Sequence, residues 1–225
     1  MAKETKKSNE MNVEEALSKS EAFILKNKNA VLGGIAVVIL VIVGIMCYKN
    51  FISNPRELAA SEALYKGEQY FGAEQFETAL NGDSIGYIGF IQIADEYSNT
   101  KAGNLANAYA GISLAQLKKY EEAINYLNEF DGDDEMIAPA VLGTLGNCYA
   151  NLNQEEKAAT TLMKAAEEAD NHSLSPIYLL QAGEIYEKLG KKDEAVKAYK
   201  LIKEKYFNSM QSYDIDKYIE RASIK

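Results

Sequence analysis

The chain has 225 residues, 47% of them hydrophobic, with 33 acidic against 24 basic side chains, enough for one sizeable domain plus extensions. A formal charge of −9 argues against a nucleic-acid binder, which needs a basic face, and two cysteines are too few for a disulfide framework. What the bulk values conceal is a strongly segregated apolar stretch near the N-terminus.

Residues 1–28 read as a polar tail holding six lysines and five glutamates. Residues 1–11 are expected to lack structure. Asn12-x-x-Glu15 has the form of a capping box, and Val13, Ala16, Leu17, Ser20 and Ile24 share one helical face. A short amphipathic helix is predicted there, resting on a lipid interface or offering a cytoplasmic contact. From Asn29 to Tyr48 no residue is charged, and the run lacks the polar stripe of a soluble amphipathic helix. At helical rise, Ala30–Tyr48 covers roughly 28 Å, the thickness of a bilayer's hydrocarbon core. A transmembrane helix over 29–51 follows. A cleaved signal peptide is the rival, but its leading region would be shorter. Met46 before Cys47 does not suit a lipoprotein site, where a small residue is needed. Lys26 and Lys28 border the span on one side and Lys49 stands alone on the other, which favours a cytoplasmic tail and an exported C-terminal domain. Ala30-x-x-x-Gly34 is a small-xxx-small pair that would permit close contact with another membrane helix.

Residues 52–100 are expected to hold entry helices and a degenerate first repeat. Asn54, Pro55 and Glu57 have the pattern of a helix start, with Asn54 as cap. Phe90-x-x-Ile93 before Tyr97 echoes Tyr199-x-x-Ile202 before Tyr206, and Gly86 stands 37 residues before Ala123. Three clearer repeats are predicted over 101–209. Gly111, Gly146 and Gly183 each precede an alanine (Ala123, Ala158, Ala195) by twelve residues. Leu127, Leu162 and Tyr199 follow those alanines by four, and Leu117, Leu152 and Leu189 follow the glycines by six. Pro139 and Pro176 precede their glycines by seven. Two antiparallel helices approach closely only where side chains are small, and the bulky neighbours then fill the space around the crossing. One such pair cannot bury its apolar faces alone, so the pairs stack. Leu189-Gly190 reads as a helix end with a left-handed cap, and residues 210–225 as a capping helix near Tyr213–Ala222.

No catalytic constellation is legible. His172 is the single histidine and sits in a turn-like Asn171-His172-Ser173. Asp131-Gly132-Asp133-Asp134-Glu135 has part of a calcium loop's spacing but lacks the later bidentate acid, so a connector between repeats is the simpler reading. The tyrosines at repeat registers are assigned to the core. No metal, no cofactor and no small-molecule substrate is expected, and an enzyme is not.

Leu145-Gly146, Tyr149, Ala158, Leu162 and Ala165, with Ala182-Gly183, Tyr186, Ala195 and Tyr199, resemble the tetratricopeptide repeat, a helix pair of about 34 residues. The resemblance implies an all-α fold, a single transmembrane helix followed by an α-solenoid, and a protein-binding concave face. That face would be lined by Leu105, Ala108 and Ile112; Ala140, Gly143 and Asn147; and Ile177, Leu180 and Glu184. It is largely apolar with small residues and lacks the lysines with which some such domains clamp a peptide carboxylate. The layout as a whole is similar to the YfgM-like ancillary subunits of the bacterial Sec translocon. This likeness implies a single-pass inner-membrane protein with a periplasmic repeat domain, and as partners a SecYEG-type translocon, a periplasmic chaperone and nascent exported chains. A scaffold for another envelope assembly and a mitochondrial import receptor with a cytosolic domain are the alternatives.

Overall fold

The structure is a computed structural model that describes Glu21 and residues 23–224. It is all-α, and no strand occurs among the described residues. The predicted helix over residues 13–25 falls mostly outside them. The chain divides after Pro55 into an N-terminal unit and a C-terminal unit, Arg56–Lys225.

The N-terminal unit is dominated by α1, Lys28–Tyr48, a 21-residue helix with no buried residue. Its apolar side chains face outward all round, as in a membrane span. Among the described residues it belongs to the one helix long and apolar enough to cross a membrane. A π-helical stretch, Lys49–Ser53, follows it directly, and α2 then covers Asn54–Gly72. Asn54 itself has helical angles, φ −65° and ψ −45°, so it caps nothing. The expected break at this point is absent because helical backbone runs on and leaves no free amides to cap.

In the C-terminal unit the helices are α2; α3, Phe76–Asn81; α4, Phe90–Glu96; α5, Lys101–Gln116; α6, Tyr120–Glu129; α7, Ile137–Asn151; α8, Glu155–Ala169; α9, Ser175–Lys188; α10, Lys192–Lys205; and α11, Ile215–Ser223. They pair in sequence. α5 packs on α6, α7 on α8 and α9 on α10, and each pair stacks on the next. The register of small residues places each crossing. Ala123, Ala158 and Ala195 are fully buried. A Cβ added at Gly111 would stand 2.6 Å from Leu127 Cγ, and one at Gly146 would stand 2.7 Å from Leu162 Cγ. At Gly183 it would collide with the Tyr199 ring.

A fourth pair precedes these, on residues that differ from the expected ones. Gly67 of α2 packs against Phe90, as Gly111 does against Leu127. Ala79, twelve residues after Gly67, is fully buried in α3. The second helix of this pair is split into α3 and α4 by an insertion, residues 82–89. Gly86 lies in that insertion, exposed and with φ +112°, and takes no part in the crossing. The insertion is closed by Asp83, whose Oδ1 accepts from the amides of Ile85 and Tyr87, while Tyr87 donates its hydroxyl to the Ala79 carbonyl at 2.7 Å. Gly82 and Gly89, at φ +88° and +87°, sit where a Cβ would strike backbone, at the Tyr87 carbonyl and the Leu80 carbonyl respectively.

One turn recurs in all four pairs. Glu74, Lys118, Asn153 and Gly190, each seven residues after its glycine, adopt positive φ of 58°, 62°, 56° and 73°. The next amide in each case (Gln75, Lys119, Gln154, Lys191) donates five residues back, to Tyr70, Leu114, Tyr149 and Tyr186, at 2.8–2.9 Å. This is the Schellman pattern, which satisfies carbonyls at a helix end. Gly190, and more weakly Asn153, announce it by residue type. Acidic residues then open each second helix, such as Glu77, Glu121, Glu155 and Asp193, where they meet the positive end of the helix dipole.

At the C-terminus a 3-10 turn, Met210–Tyr213, leads into α11, which buries Ile215 and Ala222 against α10. Arg221 of α11 donates two hydrogen bonds to Glu187 of α9, at 2.9 and 3.2 Å. α11 thus stands where the first helix of a further pair would stand.

Candidate protein-binding face

The first helices of the four pairs are α2, α5, α7 and α9. Gly67, Gly111, Gly146 and Gly183 set a common register along them, so residues at equal offsets form rows across the stack. The row six residues before the glycines is Ser61, Leu105, Ala140 and Ile177. The row one residue after them is Glu68, Ile112, Asn147 and Glu184. Between the two runs Leu64, Ala108, Gly143 and Leu180.

The nine expected residues therefore fall into three rows of one surface, but not all are accessible. Ile177 is 38% exposed, Asn147 and Glu184 are exposed, and Leu105, Ile112, Ala140 and Leu180 are half-buried. Ala108 is only 1% exposed, and Gly143 is buried under the Tyr178 ring of the next pair. These two lie beneath the surface, because adjacent first helices close over their small side chains. α11 leaves Ile177 and Glu184 open to solvent. Ser61 and Glu68 of α2 join the rows unannounced by the sequence reading. The spacing of Gly67 and Ala79, twelve residues, was the signal that could have found them.

An aromatic cluster packs α5 against the first pair. Tyr109 stacks on Phe90 with ring centroids 5.1 Å apart and meets Phe71 edge-on at 5.0 Å. Burial, and then the nearby Glu68 charge, push the Tyr109 hydroxyl up to about 12, so it stays protonated. Ion pairs bind successive pairs at their turns: Lys119 lies 3.9 Å from Glu77, and Lys191 pairs with Glu156 in the same register. Lys188 pairs with Glu155.

Elsewhere the chemistry-bearing side chains have structural work. Asp134 Oδ1 accepts from the amides of Met136 and Ile137 at the start of α7, which holds its carboxyl below the ordinary range. The Asp131 backbone is held twice by the Asn104 side chain, at 2.7 and 2.9 Å. No three potential metal ligands converge among the described residues. His172 is exposed and meets Tyr206 edge-on at 5.6 Å. Cys148 is buried, and burial pushes its thiol up to about 11. Cys47, in α1, is unpaired. Ala30 and Gly34 of α1 are exposed, and beyond the backbone of its own helix no atom lies within 4 Å of a Cβ placed at Gly34.

Two segments match family models of the tetratricopeptide repeat, residues 139–172 and residues 178–209. They cover the third and fourth helix pairs. No curated protein matches the chain in sequence.

Proposed function

We infer that this tetratricopeptide-repeat chain, a protein-interaction module by its repeats, is a membrane-anchored binding subunit that acts on the far side of the bacterial inner membrane. The observation that carries this reading is the pairing of an outward-apolar helix, α1, uncharged from Asn29 to Tyr48, with a downstream stack whose first helices present a mostly apolar surface. An apolar surface of this kind suits extended or helical segments of other proteins better than charged termini. Leu105, Ile112, Ala140, Asn147, Ile177, Leu180 and Glu184 line it, with Ala108 and Gly143 as its floor. Ala30 and Gly34 offer α1 a close contact with another membrane helix. The role is binding rather than catalysis.

The lysine-rich tail supports a cytoplasmic N-terminus and a periplasmic repeat unit. That arrangement is the one an ancillary translocon subunit of the YfgM-like kind would need to meet emerging polypeptides and periplasmic chaperones. Two experiments test the reading. Protease added to intact spheroplasts should digest the repeat unit; protection until the inner membrane is lysed would reject the exported domain. Cross-linking from Ile112 or Asn147, followed by purification in mild detergent, should recover translocon subunits or exported chains. Recovery of a different envelope complex would leave a scaffold and remove the translocon role.

A further inference from the structure

The row Glu68, Ile112, Asn147 and Glu184 crosses all four first helices and ends in a carboxylate on each side. Its neighbour, Ser61, Leu105, Ala140 and Ile177, is uncharged throughout. Glu184 is exposed and Glu68 half-buried. Among the described residues neither has a lysine or arginine within 4.0 Å, although Glu77, Glu155, Glu156 and Glu187 of the same unit all do. The nearby lysines do not neutralise the row. Lys188, one turn past Glu184, is paired with Glu155. Lys101, in the first turn of α5, is eleven residues before Ile112, about 16 Å along the helix. Lys66 lies on the opposite side of α2 from Glu68, two residues away at about 100° per residue.

We propose that the occupant of this face is an extended apolar segment of another protein that carries a lysine or arginine toward each end, the two cations reaching Glu68 and Glu184 and the apolar residues between them covering Leu105, Ile112 and Ile177. The proposal rests on the reading of this face as the binding surface and adds its charge preference. Helices packed at about 8–10 Å put the outer two of four roughly 25–30 Å apart. Extended chain spans that in about eight residues. Segments with acidic ends meet repulsion at both sides and bind more weakly, so the carboxylates select as well as attract.

The test uses the full chain in nanodiscs of zwitterionic lipid, with empty nanodiscs as blank, and fluorescein-labelled ten-residue peptides of alternating leucine and serine. One peptide has lysine near both ends, one glutamine and one glutamate. Anisotropy should show the lysine peptide binding about tenfold more tightly than the glutamate peptide, the gap narrowing between low and high salt. In a Glu68→Gln, Glu184→Gln variant of unchanged helical circular dichroism the gap should close. Equal affinities in the parent chain, or a gap that survives in the variant, would overturn the charge preference alone. Failure of every peptide to bind, or an Ile112→Asp variant that binds the glutamine peptide as the parent does, would overturn the binding surface and this proposal with it.

Discussion

Gly111 and Gly72 differ in what surrounds them, and that difference predicts opposite mutational outcomes. Alanine suits a helix better than glycine by about 1 kcal/mol. At Gly111 its methyl would meet Leu127 at Cγ and at the backbone nitrogen, the latter 3.0 Å away. The backbone cannot retreat without separating α5 from α6, so Gly111→Ala should cost about 1–2 kcal/mol net, read as a lowered urea midpoint. Gly72→Ala meets open space and should be neutral or mildly stabilising. Asp83 predicts a pH effect. A hydrogen bond from the Tyr70 hydroxyl, 2.6 Å, and another from the Tyr87 amide hold its carboxyl below its ordinary 3.8. A depressed folded-state value means the contribution is complete above 3.8 and is lost as pH falls through the lower value. Asp83→Asn should flatten the acid limb of a stability-against-pH curve. An acid limb of unchanged slope would show that Asp83 does not couple to folding. The glycines and alanines of the last three pairs were legible at this scale because their spacing repeats. The left-handed turn residues Glu74 and Lys118 were not, because their side chains carry no preference for that conformation and only the packing of the two flanking helices imposes it.

Helix ends are where local sequence and tertiary contact trade places. Glu57, three residues past Asn54, has the look of a residue that completes the start of its own helix. Instead its two carboxylate oxygens accept from the amides of Lys101 and Ala102, at 2.8 and 3.0 Å, and so close the N-terminus of α5. Thr100 supplies the adjoining cap by accepting from Gly103. Arg56 donates to the Glu96 carbonyl, and its guanidinium lies 5.6 Å from the Tyr97 ring centre. The start of α2 is thereby tied to the connection between α4 and α5. Glu57→Ala should lower stability by about 1–2 kcal/mol, the range for a lost cap made by a charged acceptor. Hydrogen exchange should quicken at Lys101 and Ala102 first. If those amides exchange as before, the carboxylate is not their cap in solution. Such a contact between residues more than forty apart has no local signature. The capping pattern around Asn54 was real as a pattern, but the helix already in progress left it nothing to cap.

The C-terminal unit as a whole is a stack in which each pair is covered by its neighbours, so its ends are its weak points. α11 covers the last pair through Ile215, Ala222 and the Arg221–Glu187 bridge. Truncation after Tyr206 should lower the melting temperature by several degrees and strip exchange protection from α9 and α10 while α5 and α6 keep theirs. Uniform loss along the stack would mean that the unit melts as one block. The sequence by itself determined that one helix is apolar on every side and that helix pairs with small residues at their crossings follow it. Both facts are written in local periodicity, which depends on residues three to twelve apart. The tertiary structure decided that the expected degenerate pair is built around Phe90 packing on Gly67, that an insertion splits its second helix, and that Ala108 and Gly143 sink beneath the surface while Glu68 joins it. Those outcomes depend on which helix a side chain meets after the chain has turned back. Burial and partner choice of that kind are properties of assembled neighbours, and no single stretch of the chain encodes them.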